Sequence, residues 1–358
     1  MQYLEQDVIA MINHQHCQAV KRATRALIIQ PGAIGDCILT LPLARYMQDG
    51  LGLGSIDMLG HMDYLSIMPG RTCVDAIRSM ELIDLHRLFQ EHDQFELADQ
   101  DPLIGAFADY TWIVSFLGEP GGSFEKNLIY TAMCSHSAEV ICLPFRPPAG
   151  FRRHLSDFYI GQFRSNCPVA IKARPLPRPS KIIQPTDSDV AKGKRILAGA
   201  GIAPDRPVVL MHPGSSAIRK CWHIANFLGL AEGLAGKGIQ PVFVIGPAEQ
   251  ERFGPDLAEK LRSIAPLLDD LSLEDVLAVL SVAGAFVGND TGISHMAGGM
   301  GVMTFVVFGP TDPVVYRPFG PNVTVVRSKA ADFTDRPSPA LQARILDRLL
   351  RGLLVLDS

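Results

Sequence analysis

The fold class is decided by residues 25–48, which read RALIIQPGAIGDCILTLPLARYMQ. An apolar run at 25–30 leads into the glycine turn PGAIGD and then into an apolar segment with helical spacing. A strand, a glycine turn and a helix in this order open a parallel αβ unit. The spacing is not G-x-G-x-x-G and no G-K-[ST] follows, so it indicates neither a dehydrogenase-type nor a P-loop nucleotide site. Asp36 is expected in the first helical turn, either as the N-cap or as a site residue.

A second series of the same kind follows a stretch at 144–186 that is rich in proline and arginine. Its apolar runs are PVVLMHPG (207–214), QPVFVIG (240–246), GAFVGND (284–290) and VMTFVVFGP (302–310), with helical patterns between them. Proline is excluded from central strands and helix interiors, so the boundary between two domains is expected near 175–187. The alternation predicts parallel sheets covered by helices on both faces.

The composition is that of a globular protein and argues against several classes of function. The chain has 358 residues, 47% of them hydrophobic and 20% charged, as expected for a globular protein of about two domains. The net charge is −4, and the first 180 residues carry 15 basic and 19 acidic residues, which argues against a nucleic-acid binder. The seven cysteines include no C-x-x-C pair, so neither disulfides nor a zinc site are expected. No signal peptide or membrane span is apparent, and we expect a soluble cytoplasmic protein.

A glycine turn at the end of a strand carries candidate anion ligands at 212–222, HPGSSAIRKCW. Ser215, Ser216 and Lys220 supply hydroxyl and ammonium donors that suit a diphosphate. The alternative is a solvated loop with a capping serine.

The segment GNDTGISH, 288–295, predicts a helix that begins at Thr291 or Gly292 and directs free backbone N–H groups toward an anion. Asp290 and Thr291 are alternatively simple helix caps. His295 lies on the same helical face as Thr291 and is either a site residue or a structural histidine. No partner stands at metal-ligand spacing, so no metal site is expected.

These motifs and FGPTDP (308–313), taken in their order, resemble glycosyltransferase family 9, the ADP-heptose:lipopolysaccharide heptosyltransferase family. The resemblance covers about residues 26–318. It implies an α/β chain of the GT-B fold, with two Rossmann-like domains facing a cleft and a C-terminal helix crossing back to the first. The implied division is an N-terminal extension (1–24), an acceptor-binding domain (25–180), a nucleotide-sugar-binding domain (181–335) and the crossing helix (336–358). The extension is expected to form an amphipathic helix, either packed on the body or contacting a membrane or partner.

The resemblance also implies roles for individual residues. Asp36 matches the proposed general base and Lys220 matches the residue that grips the diphosphate. The remaining implied donor-binding residues are Ser215, Ser216, Glu249, Asp290, Thr291, Gly292 and His295. Glu251 is the alternative to Glu249 as the acid near the ribose. The implied acceptor-side residues are Gly32, Gly35, Arg152 and Arg153.

The implied reaction inverts the configuration at the anomeric carbon of the sugar and requires neither a cofactor nor a metal ion. Because the reaction is independent of metal, we expect no D-x-D motif. Its partners are a nucleotide-sugar donor, ADP-heptose or similar, and a glycan or glycolipid acceptor in lipopolysaccharide synthesis. Peripheral contact with the cytoplasmic face of the inner membrane remains open. Two other functions also remain: another GT-B enzyme such as a nucleotide-sugar 2-epimerase, and a non-catalytic relative that binds sugar nucleotides.

Overall fold

The computed structural model describes residues 24–177, 180–202, 205–215, 217–246, 249, 251, 255–328 and 333–356. The helix expected in the N-terminal extension lies outside these residues. The described chain divides into two units. The first comprises 24–33, 40–150 and 156–176, and the second comprises 34–39, 151–155 and the described residues from 177 onward.

The first unit is built on a parallel sheet of five strands in the order β3-β2-β1-β4-β5. The strands are β1 (Arg25–Ile29), β2 (Ser55–Gly60), β3 (Ala76–Ser79), β4 (Trp112–Ser115) and β5 (Glu139–Cys142). The helices in this part of the chain are α1 (Ile34–Leu51), α2 (Met62–Leu65), α3 (Pro102–Phe107), α4 (Ser123–Met133) and α5 (Leu155–Asn166). Short 3-10 helices occupy Met80–Leu82, Leu85–Phe89 and His92–Gln94.

The second unit is built on a parallel sheet of six strands in the order β11-β10-β9-β6-β7-β8. The strands are β6 (Val208–His212), β7 (Gln240–Val244), β8 (Leu267–Leu268), β9 (Ala285–Asn289), β10 (Met303–Phe308) and β11 (Val323–Arg327). The helices are α6 (Asp187–Gly199), α7 (Ile224–Ala235), α8 (Pro255–Arg262), α9 (Leu273–Leu280), α10 (Gly292–Met300), α11 (Pro313–Tyr316) and α12 (Pro339–Leu356), with a 3-10 turn at Ile218–Lys220.

Continuous apolar runs become central strands because both of their faces are covered. Every residue of β6 and β9 is buried, and these two strands pair in parallel with Leu210 opposite Phe286. In the first unit, β1 lies between β2 and β4, with Ala26 opposite both Ile56 and Trp112. A strand buried on both faces has no polar side to display, so its sequence shows no alternation.

Both sheets have the Rossmann-like strand order, in which the direction of winding reverses at one point in the sheet. The reversal lies between β1 and β4 in the first sheet and between β6 and β9 in the second. Ligands of such sheets bind outside the carboxyl ends of the strands at the reversal. The predicted pair of parallel-sheet α/β units is therefore confirmed, and its topology indicates where a ligand would bind.

The C-terminal helix α12 is packed on the second unit. Leu341, Ile345, Leu349 and Leu353 recur every four residues, which places them on one helical face, and all four are buried in the core of this unit. Glycines on the facing helix α7 permit the close approach, since a Cβ at position 233 would lie 2.8 Å from Leu346 Cδ2. The predicted crossing of this helix to the first domain, like the predicted domain bounds, stays a prediction.

Candidate functional site

The candidate site is at the carboxyl ends of β6 and β9. His212, the last residue of β6, is opposite Gly288 in β9. The chain after β6 forms the turn 213–215, and the chain after β9 leads through 290–291 into α10. Two motifs that stand more than seventy residues apart in sequence are thus adjacent at the reversal of the second sheet.

Asn289 joins the two turns. Its side-chain Nδ2 donates to the carbonyl oxygens of Pro213 (2.7 Å) and Gly214 (3.1 Å), and its Oδ1 accepts from the backbone N–H of Trp222 (2.9 Å). The side chain is fully buried, so these three bonds are made away from solvent. Asn289 was not among the site residues predicted from the sequence. A polar amide ending an otherwise apolar strand was the available signal, because a buried amide requires partners.

Lys220 and Asp290 form a partly buried ion pair. The Lys220 Nζ is 2.9 Å from Asp290 Oδ2, with side-chain exposures of 26% and 7%. The Ser215 hydroxyl donates to the backbone oxygen of Asp290 at 3.2 Å. The structure therefore brings three of the predicted donor-binding residues together. Ser216, also predicted, lies outside the described residues.

Helix α10 begins at Gly292, as the sequence predicts, and Thr291 is its N-cap. The Thr291 side chain accepts a hydrogen bond from the Ser294 N–H. The Ser294 hydroxyl donates to the backbone carbonyl oxygen of Asn289 at 2.5 Å. Asp290 is bonded to Lys220 and is not the cap. The first backbone N–H groups of a helix have no partner within the helix and carry its positive dipole end, so this terminus suits an anion.

His295 is buried beside this terminus, with 7% of its side chain exposed. Its Nε2 is 3.9 Å from Asp290 Oδ1, and its Nδ1 has no hydrogen-bond partner in the described part of the chain. Burial lowers the pKa of the imidazole to about 4, although the Asp290 carboxylate acts in the opposite direction. His295 is consequently neutral at pH 7.

Asp36 lies in the first turn of α1, as predicted, but it does not cap the helix. The N-cap is Ala33, which makes no side-chain capping bond, and Asp36 is the third helical residue. In the turn before the helix, the Gly32 N–H donates to Gln30 Oε1 at 3.0 Å. The helix therefore starts without a polar N-cap residue, and Asp36 is the acidic residue of its first turn.

The first turn of α1, which belongs to the second unit, contacts the first turn of α10. A Cβ at Gly292 would lie 1.8 Å from Ile34 Cγ2, and a Cβ at Gly35 would lie 3.1 Å from His295 Cδ2. The 1.8 Å separation is too short for any side-chain atom, so glycine is required at 292. Gly35, predicted on the acceptor side, is thus in contact with a predicted donor-side residue.

Glu249 lies against the glycine turn after β6. Its Oε2 accepts from the Gly246 N–H at 3.0 Å, and its Oε1 is 4.0 Å from His212 Nε2. A Cβ at Gly214 would lie 2.3 Å from the Glu249 Cγ. Glu249 is buried and Glu251 is exposed, so of the two predicted acids the structure brings Glu249 to the turn.

The two predicted arginines and the FGPTDP motif lie together in the second unit. The Arg152 Nη1 is 3.4 Å from Asp312 Oδ2, and both Arg152 and Arg153 are exposed. Asp312 caps helix α11, since its Oδ1 accepts from the Val314 N–H at 3.0 Å. The last motif is therefore a helix start, and an arginine pairs with its cap.

The expectation that the chain lacks a D-x-D motif is wrong, because Asp99–Asp101 and Asp187–Asp189 both fit it. Each triplet contains an aspartate with a structural role. Asp101 is bonded through both oxygens to Arg87, and Asp189 closes the capping box at the start of α6. Among the described residues, no group of three or more His, Cys, Asp or Glu side chains could hold a metal ion.

The fold and site define a protein with two Rossmann-like units and, in the second, a cluster of turns whose donor groups suit an anion. Residues 174–340 match the model of glycosyltransferase family 9 (heptosyltransferase), which confirms the resemblance drawn from the motifs. Lipopolysaccharide heptosyltransferase 1 of Pseudomonas aeruginosa is 37% identical over 111 residues, which are 31% of each chain. Lipopolysaccharide heptosyltransferase 1 of Escherichia coli K12 is 28% identical over 160 residues, 45% of this chain and 50% of that one. The matched region spans about half or less of these relatives.

Solved structures confirm the GT-B fold class over nearly the whole chain. A glycosyltransferase family 9 protein from Veillonella parvula has a TM-score of 0.68 at 15% identity, covering 92% of this chain and 97% of its own. E. coli ADP-heptose lps heptosyltransferase II has a TM-score of 0.67 at 18% identity, covering 94% of this chain and 100% of its own. E. coli heptosyltransferase WaaC with ADP has a TM-score of 0.62 at 17% identity, covering 91% of this chain and 100% of its own.

Proposed function

We propose that this protein is a glycosyltransferase that moves a sugar, heptose by its resemblance, from a nucleoside diphosphate donor to a lipopolysaccharide or other surface-glycan acceptor. The observation that carries the proposal is the convergence of Ser215, Lys220, Asp290 and the start of α10 at the reversal of the second sheet. This cluster lies inside the segment that matches the family model. Cationic and helix-terminal groups at such a position suit the diphosphate of a sugar nucleotide.

The proposed donor is an ADP-sugar. Two solved structures of similar fold contain ADP or ADP-2-deoxy-2-fluoro heptose, at TM-scores of 0.62 and 0.58. The Lys220 ammonium carries three donor hydrogens, so it can bond to Asp290 and to a phosphate oxygen together. Glu249, at the neighbouring turn, is the proposed acid near the ribose.

In the proposed mechanism, Asp36 is the general base. The acceptor oxygen attacks the anomeric carbon while its proton passes to the Asp36 carboxylate. The bond from that carbon to the diphosphate oxygen breaks, and the diphosphate leaves with the electron pair. Attack opposite to the leaving group inverts the anomeric configuration.

The leaving group gains negative charge as the bond breaks, and this charge requires stabilisation. Lys220 and the N-terminus of α10 are the proposed stabilising groups, so the proposed reaction uses no metal ion. His295 is neutral at pH 7 and serves as a hydrogen-bonding group beside the sugar rather than as a cation.

The proposed location is the cytoplasm, where sugar nucleotides are available, with peripheral contact at the inner membrane as part of the same proposal. Within the described ranges, no helix combines the length and apolar character that crossing a bilayer requires. Contact with a lipid-linked acceptor would then be made from the membrane surface.

Two substitutions test the proposal. In the Asp36→Asn variant we expect ADP affinity to stay within about twofold and sugar transfer to fall by a factor of about 10²–10⁴, the usual contribution of a general base. In Lys220→Ala we expect ADP affinity to fall about tenfold or more, since a charge-assisted bond is lost. Binding is measured by calorimetry and transfer by ADP release from ADP-heptose with a lipopolysaccharide core acceptor.

Lys192→Ala is the matched control for the lysine, because Lys192 also forms an ion pair, at 2.7 Å with Asp275, on helices that do not contribute to the site. Unchanged transfer in Asp36→Asn would remove Asp36 as the base. Unchanged ADP affinity in Lys220→Ala would remove Lys220 from the diphosphate site. Conversion of the donor to an epimer without an acceptor would identify a 2-epimerase instead.

A further inference from the structure

The chain segment 333–338, which leads into α12, lies against the turn that carries Lys220. The backbone oxygen of its first residue accepts from the His223 N–H at 3.3 Å. The hydroxyl of Thr334 donates to the backbone oxygen of Ile218 at 3.4 Å. The segment 333–338 is therefore bonded to the chain both before and after Lys220.

The last residue of this segment, Ser338, is bonded to Trp222. The indole N–H of Trp222 donates to Ser338 Oγ at 2.7 Å, and only 1% of Trp222 is exposed. The backbone N–H of Trp222 donates to Asn289 Oδ1, the amide that also bonds to the turn after β6. Because Trp222 lies two residues after Lys220, these two bonds fix the path of the chain as it leaves the lysine.

Ser338 is itself held in place by α7 and by the start of α12. Its backbone N–H donates to Asn226 Oδ1 at 2.7 Å, and Asn226 is fully buried. Its backbone oxygen accepts from the N–H groups of Leu341 (3.0 Å) and Gln342 (3.1 Å), which are the first bonds of α12. Both backbone groups of Ser338 are thus bonded, so its hydroxyl offers the indole an acceptor at a fixed position.

The turn that bears Lys220 depends on such anchors because it is short. It is a single 3-10 turn, in which the Lys220 N–H donates to the Ala217 oxygen (2.9 Å) and the Cys221 N–H donates to the Ile218 oxygen (2.8 Å). One turn has no cooperative stability of its own, so its orientation is set by the residues that hold its ends. The lysine adds a flexible four-carbon stem, whose ammonium pairs with Asp290.

We propose that Trp222 and Ser338 are positioning residues for Lys220, and that the bond between them couples the start of α12 to binding of the donor diphosphate. The inference rests on the proposed function, because it takes Lys220 as the group that binds the diphosphate. Both residues act through the lysine and not by contact with the donor. Because coupling between two sites is reciprocal, an anion held by Lys220 stabilises the packed start of α12 by the same factor.

A double-mutant cycle on the full chain tests this coupling, with ADP as the probe and calorimetry as the measurement. In Ser338→Ala we expect ADP affinity to fall about fivefold, the contribution of one ordinary hydrogen bond. In the Lys220→Ala background the same substitution should change ADP affinity by less than about 1.5-fold, because the group through which it acts is absent. Ser338→Thr keeps the hydroxyl and should bind ADP as the wild type does.

Trp222→Phe tests the other partner, since it keeps an aromatic ring and loses the indole N–H. ADP affinity should fall as in Ser338→Ala, and the two substitutions together should lower it no further than either alone. Ser281→Ala is the matched control, because the Ser281 hydroxyl also bonds at a helix end, to the Ala278 oxygen at 2.6 Å. That helix end precedes the amino end of β9, at the edge of the sheet opposite the candidate site, so ADP affinity should not change.

The possible outcomes separate this inference from the proposed function. An equal loss of ADP affinity from Ser338→Ala with and without Lys220, or no loss with Lys220 present, would overturn the inference alone. Unchanged ADP affinity in Lys220→Ala would overturn both the inference and the diphosphate site. Thermal unfolding of each variant shows whether a change in ADP affinity reflects loss of the folded protein.

Discussion

The contact between Gly292 and Ile34 makes the substitution Gly292→Ala a sharp test of the site geometry. An added Cβ would lie 1.8 Å from Ile34 Cγ2, whereas ordinary contact begins at 3.4 Å. Admitting one methyl group requires that Ile34 leave its rotamer or that the two helix starts separate by about 1.6 Å. Because Asp36 lies two residues after Ile34 and the space around Ile34 is filled, we expect the helix starts to move and the proposed base to shift away from the start of α10.

The size of the effect follows from that displacement. A misplacement of ~1 Å can cost about 10²-fold in rate, so we expect kcat/KM to fall by about 100-fold or more. This corresponds to ~3 kcal/mol of transition-state stabilisation at ~1.4 kcal/mol per tenfold. ADP affinity should change much less, because the helix N-terminus and Lys220 are retained.

The assay is steady-state release of ADP from ADP-heptose, with ADP affinity and thermal unfolding measured on the same variant. The Gly292→Ala, Ile34→Ala double variant removes the clashing methyl group and should recover most of the activity. Gly199→Ala is the control for adding a methyl group, since nothing lies within 4 Å of a Cβ there. Wild-type kcat/KM and unfolding temperature in Gly292→Ala would show that these two helix starts do not touch.

Two further predictions concern stability. Asn289→Ala removes three buried hydrogen bonds, each worth ~1 kcal/mol, and should lower the free energy of unfolding by about 3 kcal/mol in urea titrations; a loss under ~1 kcal/mol would contradict the bridging role. His295 has a folded-state pKa of about 4, below the ~6.5 of an unfolded histidine, so the unfolded chain binds more protons between these values. The contribution of neutral His295 to the free energy of unfolding is therefore fully present above about pH 6.5 and is lost as pH falls toward 4. In His295→Gln, the free energy of unfolding should no longer show this part of its pH dependence. An unchanged pH dependence would refute the lowered pKa of His295.

Local signals account for much of the fold. Both β6 and β9 could be predicted because parallel strands covered on both faces consist almost wholly of apolar residues. The start of α10 at Gly292 could be predicted from the capping chemistry of Thr291, and the position of Asp36 from the glycine turn before it. β11 was not predicted because it is an edge strand in which only Val326 is buried, so it lacks the continuous apolar run of a central strand. The 3-10 helices of the first unit were not predicted because three to five residues are too few to establish a period.

The candidate site residues could also be predicted from the sequence, but the bonds among them could not. Lys220 and Asp290 were both singled out as ligands of a donor, and only the folded chain shows that they bond to each other across seventy positions. The three hydrogen bonds of Asn289 could not be predicted for the same reason, since its partners become neighbours only when the turns around it are folded.

By itself, the sequence determined two parallel αβ units, the glycine turns at their strand ends and the family resemblance. Each of these depends on neighbouring residues or on fixed spacing along the chain. The tertiary structure alone decided that Gly292 must lack a side chain because Ile34 occupies the space, and that Glu249 rather than Glu251 contacts the glycine turn. These facts depend on which strand ends become neighbours, and strand order brings together residues that share no local signal.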